Sequence, residues 1–273
     1  MKLMNYFNQK TKYSKFIVRS ISSFLLLPFL FLVWKGGTLF YLILVPIFIG
    51  MIYEILNMED SARKNKNMKL SFKFFMIVLL TFPQLLLIFF PYLTTVKILG
   101  FLITTLFIFY LFRYNLLLII LLCGILFSCA SSILLSQIHP HLLFYILIII
   151  FISDVSAYCF GNLLGGPKLL PKISPNKTIS GSFFGIIGSL ITVYFLSIGE
   201  SLLENLLIGL IISVFSQVGD LLESSYKRQT GFKDSGNVIP GHGGILDRMD
   251  GLIISLPIVL IIFKANLIRI QSF

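Results

Sequence analysis

Nine apolar stretches of roughly membrane-spanning length dominate this chain, at about 17–34, 38–56, 71–90, 94–112, 115–136, 142–163, 179–198, 203–223 and 251–267. An α-helix needs about 20 mostly apolar residues to cross a hydrocarbon core about 30 Å thick. Inside that core every backbone polar group must be paired within the segment or across a closed barrel. The runs are continuous rather than alternating, which argues against an outer-membrane barrel. Composition agrees: 57% of the residues are hydrophobic, only 12% are charged, and mean hydropathy is +0.95. A soluble domain carries about 25% charged residues. No long polar segment is available to build a separate soluble domain. The expected fold is therefore all-α, a polytopic helical membrane bundle. The first stretch is interrupted near its start by Arg19. It lacks a convincing small-residue cleavage site and further spans follow, so it reads as an uncleaved anchor.

Basic residues set the expected orientation. The N-terminal tail holds Lys2, Lys10, Lys12, Lys15 and Arg19, and the second stretch is followed by Arg63, Lys64, Lys66 and Lys69. Lys168, Lys172 and Lys177 follow the sixth; Lys227, Arg228, Lys233 and Arg248 lie between the eighth and ninth. Nine spans with a cytoplasmic N-terminus put all of these loops on the cytoplasmic side, as the positive-inside rule requires. The opposite loops are poor in charge, although Arg269 near the C-terminus dissents. The net charge of +11 is then loop charge facing anionic headgroups. No nucleic-acid module is visible, and no nucleic-acid partner is expected. Cys123, Cys129 and Cys159 fall within apolar runs without metal-type spacing and read as packing residues.

The two parts of the chain differ in character. Up to about residue 150 the acids are Glu54, Glu59 and Asp60 alone; beyond it acids, glycines and Ser/Thr enter the spans. Residues 1–150 are expected to anchor and pack, and residues 151–273 to carry chemistry on loops facing the cytoplasm. Three segments converge on that face. Asp154, in the sixth span, needs a partner, a metal or water, and shares a helical face with Tyr158 and Gly161. The following loop, with Ser174, Asn176, Lys177 and Thr178, leads into a helix starting near Thr178, whose free N–H groups suit an anion. It also reads as an ordinary basic loop with a Ser/Thr cap. The third segment, residues 217–251, holds five of the eleven acids, four basic residues, His242 and several glycines.

In that third segment Asp220 and Glu223 close the eighth span, where acids oppose the helix dipole. Lys227 offers Glu223 an i,i+4 pair, whereas Ser224 offers Asp220 no countercharge. Asp247 and Asp250 open the ninth span, where acids suit the dipole. Carboxylates on two helix ends could hold Mg²⁺ while basic side chains and glycine backbone take phosphates. His242 lacks the partners of a zinc protease, and no GxSxG elbow supplies a nucleophile. Metal, basic residues and glycine backbone together suit phosphoryl or nucleotidyl transfer, which relies on positioning and charge neutralisation.

The run SSYKRQTGFKDSGNVIPGHGGILDRMDG, from Ser224 to Gly251, resembles the signature of the phosphatidate cytidylyltransferase (CDP-diacylglycerol synthase) family. The matching positions are Ser224 or Ser225, Lys227, Arg228, Lys233, Asp234, Pro240, His242, Gly243, Gly244, Asp247, Arg248 and Asp250. Gly219-Asp220, Glu223, Asp154, Ala157, Tyr158, Gly161 and Ser174–Thr178 look similar to the family as well. One position departs: where the family commonly has Glu after Ser-Pro-x-Lys-Thr and one further residue, this chain has Ser180.

The resemblance implies CTP and phosphatidic acid as substrates, Mg²⁺ or another divalent cation, a homodimer, and a bacterial inner (cell) membrane protein among membrane lipids. It implies Asp220 and Asp247 as metal ligands. Lys227, Arg228, Lys233 and Arg248 would neutralise phosphates, and His242-Gly243-Gly244 with Ser174–Thr178 would shape the phosphate pocket. Asp154, Glu223, Asp234 and Asp250 would stand behind them. A transporter and a CTP-dependent membrane lipid kinase of the polyprenol or phytol type are the rival classes.

Overall fold

A computed structural model of the chain describes residues 30–62, 68–90, 94–139, 141–239 and 243–269. Among them run eight long helices: α1 (Gly37–Ala62), α2 (Leu70–Phe89), α3 (Thr94–Phe112), α4 (Leu116–Ile138), α5 (Leu142–Leu164), α6 (Ile179–Leu196), α7 (Leu202–Thr230) and α8 (Leu246–Lys264). A hairpin, β1 (Lys168–Leu170) and β2 (Ser174–Thr178), separates α5 from α6. Seven of the eight, α1 to α7, are long and apolar enough to cross a membrane. The chain is an integral membrane protein of the all-α class. Most of the first expected span lies outside the described residues, which pick up its helical end at 30–35. The ninth is present as α8, whose first turns carry Asp247, Arg248 and Asp250 ahead of an apolar remainder.

Burial differs widely from helix to helix. The best-buried is α4, with 72% of its most apolar window inside the bundle, against 17% for α3. Thus α4 is the central post, contacting α1, α2, α3, α5, α7 and α8, while α3 presents Leu102, Ile103, Leu106 and Tyr110 outward. Outward apolar side chains are what lipid tails solvate, so helix association there depends on close packing and interhelical hydrogen bonds. The interior supplies both. Ser153 Oγ meets Ser213 Oγ at 2.8 Å between α5 and α7, and Ser128 Oγ donates to Leu252 O of α8 at 3.1 Å.

Glycine decides how near the second-half helices come. α5 and α6 pack along a shared strip: a Cβ on Gly181 would lie 2.6 Å from Ala157 O and 3.2 Å from Gly161 Cα. α7 and α8 meet at Gly219, where a Cβ would overlap the backbone carbonyl of Asp250, and at Gly251, 3.3 Å from Ser216 Cβ by the same construction.

Two features depart from the sequence reading. The eighth span does not end near 223: α7 continues to Thr230, carrying Lys227 and Arg228 in its last turn, and stops at Gly231 in a left-handed conformation (φ 82°). Much of the expected long loop is therefore helix, favoured by basic residues beside the C-terminal dipole. At its other end α7 is closed by a Ser201–Glu204 capping box. The loop after the sixth span is the β1–β2 hairpin, with Lys168 opposite Thr178 and Leu170 opposite Ser174. Thr178 then caps α6 by accepting from Gly181 N at 3.1 Å.

Gly219→Ala should lower the thermal stability of the detergent-solubilised protein. Overpacking costs about 1–3 kcal/mol, which outweighs the ~1 kcal/mol gained in helix propensity. Unchanged melting would show that α7 and α8 do not touch at this point.

Candidate active site

The α7–α8 crossing creates a cluster of like charge. Asp220 and Glu223 stand one turn apart on α7, and Asp250 faces them from α8; one carboxylate oxygen from each lies within 4.8 Å of the others. Two like charges ~4 Å apart repel by about 4 kcal/mol at an effective dielectric of ~20. The protein places cations against them. Lys177 of β2 pairs with Asp220, which also accepts from Ser224 Oγ at 3.2 Å. Lys227 lies 2.5 Å from Glu223 Oε2 and 2.6 Å from Asp247 Oδ1. Glu223 is fully buried, and its Oε1 has no hydrogen-bond partner among the described residues.

Asp247 is held differently. Its Oδ2 accepts from Ser235 N at 2.9 Å and Gly244 N at 2.8 Å. It precedes the apolar stretch of α8. Burial pushes its carboxyl up, yet Lys227 and the two backbone donors outweigh this and hold it below the ordinary carboxylate range. Gly243, with φ 87°, passes so close that a Cβ there would sit 2.6 Å from Asp247 Oδ2. Glycine at 243 is required both by the left-handed backbone and by that approach.

A cavity of about 580 Å³ opens beside these carboxylates. Asp154, Tyr158 and Gly161 of α5 line it, with Asn176, Lys177 and Thr178 of the hairpin and Asp220, Asp247, Arg248 and Asp250 of α7 and α8. The three expected segments thus meet around one space. Of the other expected residues, Ser174 opens β2 without lining it. Glu223 sits behind Asp220, and Gly243 and Gly244 act through Asp247. Arg228 donates to Ile173 O at 3.2 Å and Phe232 O at 3.1 Å, tying the hairpin to the end of α7. Lys233 and Asp234, like Arg228, are not among the lining residues described. His242 lies outside the described residues.

Several positions were not singled out from sequence. Lys168, Asn162, Ser182 and Gln217 also line the cavity. Gln217 precedes Asp220 by one turn and donates to Ser182 O at 3.3 Å and Ser213 Oγ at 3.2 Å, continuing the polar wall into the bundle. Ser180 hydrogen-bonds Gly165 O and Thr178 Oγ1, so at this departing position the side chain closes the hairpin base.

The arrangement suits a divalent cation. Hard oxygen donors converge from two helices, and one buried carboxylate oxygen lacks a donor. Lys168, Lys177 and Arg248 at the walls suit the phosphate oxygens of a nucleotide.

A family model described as the cytidylyltransferase family matches residues 17–266. The chain is 46% identical over 123 residues to a phosphatidate cytidylyltransferase of Staphylococcus haemolyticus (strain JCSC1435), covering 44% of this chain and 47% of that protein. It is 44% identical over 136 residues to the phosphatidate cytidylyltransferase of Staphylococcus aureus (strain COL), covering 48% and 50%. The Staphylococcus epidermidis protein of the same name (strain ATCC 35984) is 44% identical over 129 residues, 46% of this chain and 47% of that one. The chain spans about half the length of the curated relatives it matches.

The shared lysine makes a stability prediction. Lys227→Met leaves Glu223 and Asp247 without their common cation, and should cost about 3–5 kcal/mol, as breaking a buried pair does. Adding Glu223→Gln should restore part of the thermal stability in detergent. Equal melting temperatures for the single and double variants would contradict the pairing.

Proposed function

We propose that this chain, which belongs to the cytidylyltransferase family, transfers the cytidylyl group of CTP to phosphatidic acid, giving CDP-diacylglycerol and pyrophosphate. The observation that carries this reading is one cavity lined by Asp220, Asp250, Lys177 and Arg248, with the Glu223–Lys227 pair set behind Asp220. Asp220, Glu223 and Asp250 would hold Mg²⁺, with Asp247 close by. The ion would supply charge neutralisation along the triphosphate.

On this reading an oxygen of the phosphatidate phosphate attacks the α-phosphorus of CTP. The bond from that phosphorus to the bridging oxygen breaks, and pyrophosphate leaves with the electron pair. The second pKa of a phosphate is about 6, so the acceptor is already largely ionised near neutral pH and needs no strong general base. That agrees with a site of carboxylates and lysines. Lys177 and Arg248 bind phosphate oxygens and compensate charge as it develops on the leaving group. Lys227 keeps Glu223 and Asp247 in place. Asn176 and Thr178 shape the hairpin wall, and Asp154 and Tyr158 form the α5 wall.

The basic loops and the bacterial relatives support a site facing the cytoplasm from the cell membrane. CTP would arrive from the cytosol. Phosphatidic acid would arrive sideways from the inner leaflet, past the exposed Tyr158, Leu163, Ile179 and Phe183 of α5 and α6. A homodimer, as the family resemblance implies, belongs to the same proposal.

Purified protein in mixed micelles, given phosphatidic acid and α-labelled CTP, should form labelled CDP-lipid and release pyrophosphate. Chelation of divalent cations should stop turnover and Mg²⁺ should restore it. Asp250→Asn, which leaves size unchanged, should lower turnover by about 10²-fold or more, the scale of losing one group that stabilises developing charge. Transfer of the γ-phosphate with release of CDP would contradict the proposal, as would wild-type turnover in Asp250→Asn.

A further inference from the structure

We infer that Glu54, a buried carboxylate of α1, is a positioning residue for the carboxylate cluster: it fixes the first turn of α8, and through it the place of Asp250 against Asp220 and Glu223. The inference deepens the proposed metal reading and rests on it.

α8 starts without a cap of its own. Its N-cap residue, Ile245, makes no side-chain hydrogen bond to the helix. A helix start leaves its first N–H groups without internal partners, and burying them unpaired is costly. Glu54 supplies the acceptor from another part of the chain. Its Oε1 accepts from Ile245 N at 2.9 Å; its Oε2 accepts from Leu246 N at 2.9 Å and Ser235 Oγ at 2.8 Å. Glu54 is 3% exposed, and its charge suits the positive end of the helix dipole. Hydrogen bonds to an ionised acceptor are also about twice as strong as neutral ones.

The surrounding backbone is shaped to this side chain. A Cβ on Gly236 would lie 2.7 Å from Glu54 Oε1, and one on Gly244 would overlap Ser235 Oγ and Glu54 Oε2. Glu54 and Asp247 divide the same loop between them. Ser235 gives its N–H to Asp247 and its hydroxyl to Glu54, while Gly244 N goes to Asp247 and Ile245 N to Glu54. Residues 235 and 244–246 are thus gripped from two sides. Asp250 follows Leu246 by one turn, so the height and rotation of that turn set where its carboxyl falls. None of the hydrogen-bond donors to Glu54, Ser235, Ile245 and Leu246, is among the residues that line the cavity, so its influence runs through α8.

The test reads metal binding directly. Mn²⁺ is titrated into the purified full-length protein in detergent, with free ion measured by its paramagnetic resonance signal and melting temperature recorded in parallel. Glu54→Gln keeps the shape but sets an amide donor against backbone N–H groups. It should weaken Mn²⁺ binding about 10-fold or more, as loss of groups that orient metal ligands does. Ser235→Ala removes one of the three donors to Glu54 and should weaken binding by about threefold, the scale of one hydrogen bond; it decides the matter should Glu54→Gln not fold. The control is Asp60→Asn. Asp60, on the same helix, pairs with Lys73 of α2 at 2.6 Å, so this variant should lose stability yet bind Mn²⁺ as wild type does.

Wild-type Mn²⁺ affinity in both Glu54→Gln and Ser235→Ala would overturn the role of Glu54 while leaving the metal reading intact. So would equal weakening in Asp60→Asn. A wild-type protein that takes up no Mn²⁺ would bring down the metal reading itself, and this inference with it.

Discussion

The site depends on one contact, the passage of α7 over α8 at backbone distance. Gly219 has no side chain to keep the carbonyl of Asp250 away, and Gly251 does the same for Ser216 on the facing helix. Small residues at a helix crossing are how membrane helices gain packing energy where lipid tails compete equally for apolar surface. Here they have a second consequence. With the axes this close, side chains one residue from each glycine, Asp220 and Asp250, cannot avoid each other. Glu223, one turn along, completes the group.

Such a cluster inside a membrane protein must be compensated. Lys177 reaches Asp220 from the hairpin, while Lys227 bridges Glu223 and Asp247 along and across the helices. These are point charges on flexible stems, able to neutralise carboxylates and to bind phosphate oxygens alike. The acidic end of α1 adds a second layer. Glu54 holds the start of α8, and Glu59 accepts from Tyr226 of α7 at 3.0 Å and from Asn115, the N-cap of α4, at 3.2 Å. The N-terminal part of the chain is therefore bonded to α7 and α8 through carboxylates as well as apolar contacts.

Much of this was legible in the sequence, for physical reasons. Apolar runs of spanning length have few folds open to them, and α1 to α8 fall on eight of the nine expected stretches. Asp154 stands out as an acid in an apolar run, Lys177 and Thr178 as a basic loop entering a helix, and Asp220, Asp247, Arg248 and Asp250 as charges at two helix ends; all line one cavity. What could not be read was the assignment of partners. Asp247 and Asp250 are three apart on one helix, and the crossing of α7 over α8 decides which of them joins the carboxylates of α7. The structure puts Asp250 beside Asp220 and Glu223, and gives Asp247 to Lys227 and two backbone N–H groups. Glu54 carried the same signal as Asp154, an acid within an apolar run. It was passed over because its partners lie 181 to 192 residues away in sequence. The hairpin was hidden by its shortness, with strands of three and five residues.

The most direct test of the central claim is to locate a divalent cation bound to the protein. Crystals grown with Mn²⁺ and a non-hydrolysable CTP analogue, measured for anomalous scattering, should show a peak at about 2.0–2.3 Å from oxygens of Asp220, Glu223 and Asp250, typical of small hard cations on carboxylates. A peak held by Asp247 alone, or an occupied nucleotide with no metal density among the three carboxylates, would contradict the account.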